Sequence, residues 1–284
     1  GAGTGGLDLW IGADLPAEAG VSSSAALTVA TVLAAAALNG RAVPPLGLVP
    51  FARLVQRVEN RAGTRCGVMD PLIVLGGVRD AALLIDCRTF IATGIAIPPG
   101  LALVVCDSGV QRALADSAYN VRRAECEAAL ELLREALGRA FRALRDVTAE
   151  DLDSAGDALP ELLKRRARHV VSENERVLAA TDALATADRS RLGALLAAAH
   201  TSLRDDYEVS APELDALVAF AVGADGCWGS CMTGAGFGGA TVSLVEADRV
   251  EAFSARVAVG YAERFGRAPA IFASPAAAGA RRLQ

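Results

Sequence analysis

Strand-like and helix-like segments follow one another in this chain in an order that no regularly alternating fold allows. Leu7–Asp14 (LDLWIGAD) alternates apolar and polar positions and predicts a strand. Pro16 and Gly20 break it, and Ser22–Leu38 then reads as a helix opened by serines. Leu48, Phe51, Leu54, Val55 and Val58 give Leu48–Ala62 helical spacing, interrupted at Gly63–Gly67. Ala81–Asp86 and Leu101–Asp107, rich in Leu, Ile and Val, read as buried strands. Helices follow at Ser117–Leu137 (with an Arg/Glu-rich face), Leu159–Leu184, Arg191–Arg204 and Ala211–Ala224. Strand character returns at Ala240–Glu246 and, after a helix at Arg249–Phe265, near Ala268–Phe272. A mixed first part, a helix-heavy second part and a late return to strand predict an α+β fold, not a doubly wound sheet.

Composition narrows the partners. Hydrophobic residues are 52% and charged residues 21%, which excludes an intrinsically disordered chain, and with aromatics at 5% the core must be built from Ala, Val and Leu. A net charge of -5 and a pI of about 5.2 supply no basic field for a nucleic-acid backbone. The longest uncharged apolar run, Ala25–Leu38, is too short and too alanine-rich to span a bilayer, so no membrane partner is expected. Cys66, Cys87, Cys106, Cys126, Cys227 and Cys231 lack paired CxxC spacing and predict a reduced, cytoplasmic protein. Cys227 and Cys231 are half a metal site at best; only His169 and His200 accompany them, and no zinc is expected.

Chemistry concentrates in three segments. Pro16–Ala26 (PAEAGVSSSAA) puts Gly20, three hydroxyls (Ser22, Ser23, Ser24) and the small Ala25 at the start of an apolar helix. Such an N-terminus presents unpaired N–H groups and a positive dipole end to a phosphate, and a serine can ligate Mg²⁺; equally, the serines can simply cap the helix. The lysine of a Walker loop is absent. Glu59–Asp70 (ENRAGTRCGVMD) sets two carboxylates across a glycine-broken turn, one suited to a metal ion and the other to a substrate hydroxyl, or else a solvated helix-end Glu and a capping Asp. Thr233–Gly239 (TGAGFGG) reads as a backbone-exposing loop between a helix and a strand, able to fold over phosphates or to act as a tight connector.

In this order the three segments match the signature motifs of the GHMP kinases. Ser117–Glu127 (SAYNVRRAECE) and Ser202–Asp215 (SLRDDYEVSAPELD) resemble segments of the galactokinase branch in particular, and the resemblance runs from about Gly12 to Val245. It implies an ATP-dependent sugar-1-kinase that phosphorylates galactose at the C1 hydroxyl. It implies two lobes, 1–108 and 109–284, meeting near Ser108: the first like ribosomal S5 domain 2, the second ferredoxin-like. Gly20, Ser22, Ser23, Ser24, Ala25, Gly234 and Gly236 would then lie on ATP, and Ser23 (or a neighbouring serine) with Glu59 on Mg²⁺. Asp70 would stand beside the C1 hydroxyl as base or orienter, with Gly67 and Tyr119 on the sugar. The glycine loop would close over the site. Phosphoryl transfer asks mainly for positioning and charge neutralisation, which this outline supplies.

The sequence departs from the family pattern at four places. Pro71 stands where Gln is usual, Arg112 where His is frequent, and Cys231 where a basic residue precedes the last glycine motif. The N-terminal sugar-recognition motif, an arginine and a Glu-His-x-Asp group, has no counterpart in these residues. The expectation is therefore a galactokinase without its N-terminal segment, with unpaired strand edges, and inefficient alone. Two alternatives stay open: a kinase for N-acetylgalactosamine, arabinose or a uronic acid, and a non-catalytic galactose- and ATP-sensing regulator. The intact SSSAA run and Asp70 favour the enzyme.

Overall fold

The computed structural model describes residues 8–15, 21–41, 48–61, 67–110 and 115–282. They belong to two compact units, residues 1–97 with 275–284, and residues 98–274.

In the first unit, helices α1 (Ser23–Leu38), α2 (Leu48–Arg61) and α3 (Met69–Gly76) pack pairwise on one another. Val29 of α1 meets Phe51 and Val55 of α2, all fully buried, with Val74 and Leu75 of α3 against them. Ala52 and Leu72 close a second cluster with Val68. Strands β1 (Ala81–Ile85) and β2 (Ala92–Ala96) form an antiparallel hairpin. The returning C-terminal tail is stitched to this unit by backbone bonds: Asp80 N–H to Ala276 (2.9 Å), Gly279 N–H to Gly77 (2.9 Å) and Ala280 N–H to Val74 (2.7 Å).

The strand expected over Leu7–Asp14 is not found: residues 8–14 have no regular secondary structure, and Trp10 is 92% exposed. Alternation alone does not make a strand, because every strand needs a hydrogen-bonded neighbour and neither β1 nor β2 pairs with this segment. α3 was missed for the opposite reason. Proline breaks a helix interior, yet Pro71 lies in the first turn of α3, where its missing N–H leaves no bond unmade.

The second unit begins with strand β3 (Leu101–Asp107). Helix α4 (Ala115–Leu137), the short α5 (Ala149–Ala155) and α6 (Glu161–Ala185) pack around Ala129, Leu133, Leu152, Ala167 and Val171. Next come α7 (Arg189–Asp205), α8 (Pro212–Val222), β4 (Cys227–Met232), β5 (Ala240–Glu246), α9 (Val250–Phe265) and β6 (Ala270–Ser274). The four strands make one antiparallel sheet in the order β4-β5-β3-β6. Its central strands meet α8 and α9 in a core of Val104, Cys106, Leu217, Val245, Phe253, Val257 and Tyr261. α7 lies against β4 where both lack side chains: a Cβ on Gly193 would come within 2.5 Å of the Trp228 carbonyl, and one on Gly229 within 2.7 Å of Leu196. β4 was not read from the sequence, because Gly229, Ser230 and a β-bulge after Cys227 hide its strand pattern. The fold is α+β, as the element order predicts.

Candidate active site

α1 opens without a side-chain cap. Ser22 sits in the left-handed region (φ 61°, ψ 34°), its carbonyl accepts the Ala26 N–H at 3.0 Å, and its hydroxyl makes no capping bond. The capping reading of Ser22 is thereby corrected: a left-handed Ncap does not aim its oxygen at the N2 and N3 amides, as an extended one does. Thr148, the N-cap of α5, shows the contrast, accepting from Asp151 N–H at 3.2 Å while the Asp151 carboxylate accepts from Thr148 N–H at 3.0 Å. α1 has no acidic residue of its own in its first turn, so its unpaired N–H groups meet no carboxylate from within the helix. Ala25 is fully buried and offers this end only its backbone.

Ser24 donates from Oγ to Glu59 Oε1 at 2.8 Å, joining the start of α1 to the last turn of α2. Hydroxyl and carboxylate are hard oxygen donors, and Mg²⁺ characteristically takes one or two protein ligands beside phosphate oxygens, so the pair fits that ion. The sequence singled out Ser23 first for this role; the side chain bonded to Glu59 is that of Ser24. Asp70 is half-buried in the first turn of α3, near that helix's positive end, a favourable place for a carboxylate. Gly67, just before α3, is exposed, and a Cβ there would meet nothing within 4 Å among the described residues. Pro71 is buried behind Asp70. Gly20 and Arg112 lie outside the described residues.

The remaining predicted residues belong to the second unit. Tyr119 is half-buried on α4. The glycine loop joins β4 to β5, two antiparallel strands, rather than a helix to a strand. Gly234 (φ 73°) and Gly236 (φ 82°) both need the left-handed region. A Cβ on Gly236 would fall 2.1 Å from the Val209 carbonyl, which accepts the Phe237 N–H at 2.7 Å. At the loop's other end the Gly239 carbonyl accepts from Ser108 N–H (2.9 Å) and Ser108 Oγ (2.6 Å), and Tyr261 donates to the Ser108 carbonyl at 2.7 Å. The loop is thus held in a defined shape by backbone partners. Burial pushes the nearby Cys231 thiol up to about 12, so it is neutral near pH 7.

Sequence reasoning missed an ionic knot in this unit. Arg166, 1% exposed, donates to Glu125 (2.7 Å), Glu208 (2.6 Å) and the Asp206 carbonyl (2.5 Å). Arg122 shares Glu125 at 2.7 Å and Arg165 shares Glu208 at 2.7 Å. The guanidinium of Arg166 holds Glu208 below the usual carboxylate range. Beside the knot, His169 stacks on Tyr207 (centroids 4.4 Å apart) and its Nδ1 contacts Ser202 Oγ at 3.0 Å. Burial pushes His169 down to about 4. Glu125 and Glu208 come from the two segments that resemble the galactokinase branch; which arginine of the run Arg165, Arg166, Arg168 turns inward was not legible.

Residues 1–77 match the GHMP kinases N terminal domain and residues 180–262 the GHMP kinases C terminal region. A galactokinase of Roseiflexus sp. is 47% identical over 98% of this chain and 70% of its own. The chain belongs to the galactokinase family of GHMP kinases. Another relative in that family, a galactokinase of Chloroflexus aggregans, is 52% identical over 92% of this chain. The chain spans 66% of that relative's length. Among solved structures, Lactococcus lactis galactokinase complexed with galactose superposes with a TM-score of 0.89 at 32% identity, covering 95% of this chain and 69% of that one. Membership makes the chain similar to enzymes of the GHMP kinase type. Among the described residues no helix is long and apolar enough to cross a membrane.

Proposed function

We propose that this chain catalyses the ATP-dependent phosphorylation of galactose at its C1 hydroxyl, giving galactose 1-phosphate and ADP. The observation that carries the reading is the Ser24–Glu59 pair at the uncapped positive end of α1, in a chain of the galactokinase family. The α1 amides from Ser22 onward take phosphate charge; Ser22 and Ser23 line that end. Ser24, the neighbour of Ser23 that is bonded to the carboxylate, and Glu59 would hold Mg²⁺. The ion neutralises charge on the phosphates when bound. Gly234 and Gly236 keep the glycine loop's backbone bare where it lies on the nucleotide. Asp70 accepts or orients the C1 hydroxyl proton, and Gly67 and Tyr119 contact the sugar.

Free thiols at Cys87, Cys106, Cys126, Cys227 and Cys231 support a cytoplasmic location. The test is a panel of sugars with Mg²⁺-ATP scored by ADP release, using the protein expressed from its natural gene. Galactose should give the highest kcat/KM. Preference for N-acetylgalactosamine, arabinose or a uronic acid would reassign the substrate, and binding of sugar and ATP without release of ADP would make the protein a sensor.

A further inference from the structure

We propose that Arg166 is a positioning residue for the glycine loop: it clamps the turn at residues 206–208 and so fixes the Val209 carbonyl on which the loop is built. The inference rests on the reading that this loop lies on the nucleotide. All the contacts concerned lie within the second unit.

Arg166 projects from α6 into the protein and is 1% exposed. Its Nε reaches Glu125 of α4, its Nη1 the Asp206 carbonyl and its Nη2 Glu208. One planar fork thereby ties α4, α6 and the turn after α7 together, a task a lysine's point charge performs less well. Glu208 is held at φ 54°, a region that costs a residue with a Cβ conformational energy. The clamp offsets that cost, because Glu208 is gripped by Arg166 and, at 2.7 Å, by Arg165.

The next residue transmits the constraint. Val209 is 3% exposed, packs with Leu214, Met232 and Phe237, and donates its N–H to the Leu203 carbonyl at 3.0 Å. Its own carbonyl takes the Phe237 N–H at 2.7 Å and stands so close to Gly236 that a Cβ there would be only 2.1 Å away. Phe237 itself is at φ 60°. Releasing Glu208 to an ordinary φ turns the Val209 carbonyl, and with it the acceptor that sets the loop at Gly236 and Phe237. Two sequence segments that lie far from the glycine motif therefore shape it through one arginine.

Amide hydrogen exchange and equilibrium Mg²⁺-ATP binding by calorimetry, both on the full chain, test this. Arg166→Met alone takes a shared cation from Glu125 and Glu208, which keep only Arg122 and Arg165, and so unbalances the charge of the knot; the informative variant is Arg166→Met with Glu125→Gln and Glu208→Gln, which removes charge and keeps shape. In it the Phe237 amide should exchange at least about tenfold faster while the Val104 and Val257 amides keep their protection. Mg²⁺-ATP should bind about tenfold more weakly. Arg166→Lys, which keeps the charge but not the fork, should recover part of both effects, and it carries the same readouts if the triple variant does not fold. Unchanged Phe237 exchange, or faster exchange spread evenly over the unit, would overturn the proposal. If the unsubstituted chain binds no ATP, the nucleotide reading fails, while the exchange data still decide whether Arg166 holds the loop.

Discussion

Ser22 was legible as a helix-opening residue, with capping and phosphate binding both open to it; the structure excludes the capping bond. The sequence says that a serine precedes an apolar helix; it does not say that the backbone there is left-handed, at φ 61°. Because no capping bond exists to lose, Ser22→Gly should leave stability unchanged or raise it by up to about 1 kcal/mol, the relief of a left-handed residue set against glycine's entropy. Urea unfolding measures this, and a loss above about 1 kcal/mol would restore the cap. In the sequence, Glu59 is a carboxylate at a helix end near a glycine break. Its bond to Ser24 makes it specific. Glu59→Ala should weaken Mg²⁺-ATP binding with partial rescue at high Mg²⁺, whereas with a purely structural Glu59 the fold loss relative to wild type would be the same at every Mg²⁺ concentration.

Helices and strands were legible where burial on one side imposes a period. α1, α2, α6 and β5 lie close to the positions their apolar spacing indicates, because each presents an apolar face or row to a core. Elements shaped by neighbours were not. β4 contains Gly229 and Ser230 yet is held as a strand by pairing with β5, and residues 8–14 alternate correctly yet pair with nothing among the described strands. The glycine loop is the functional case. Gly236→Ala places a methyl group against the Val209 carbonyl and demands φ 82° of alanine. It should weaken Mg²⁺-ATP binding and lower Tm, whereas Gly100→Ala, in open space though also at positive φ, should lower Tm without touching ATP affinity. Equal affinity in wild type and Gly236→Ala would separate the loop from the nucleotide.

At the scale of the whole molecule, stability and chemistry respond to different protons. His169 is buried against Tyr207, and burial pushes it from its ordinary 6.5 down to about 4. The unfolded chain binds its proton first, so the contribution of this histidine is complete above about pH 6.5 and is lost as pH falls toward 4. On the order of 3 kcal/mol is at stake. Between pH 7 and 5 the Tm of His169→Gln should fall less than that of wild type; parallel declines would place the acid sensitivity elsewhere, in His200, which burial also pushes down. Neither histidine belongs to the proposed chemistry, which turns on Asp70. The direct measurement is ³¹P NMR of galactose with Mg²⁺-ATP, comparing wild type with Asp70→Asn, both expressed from the natural gene and checked for equal Tm. The wild type should build an anomeric phosphate on C1 as ADP appears, and the variant should do so about 10²–10⁴-fold more slowly while still binding galactose. Equal rates, or phosphate on any other hydroxyl, would contradict the assignment of this site.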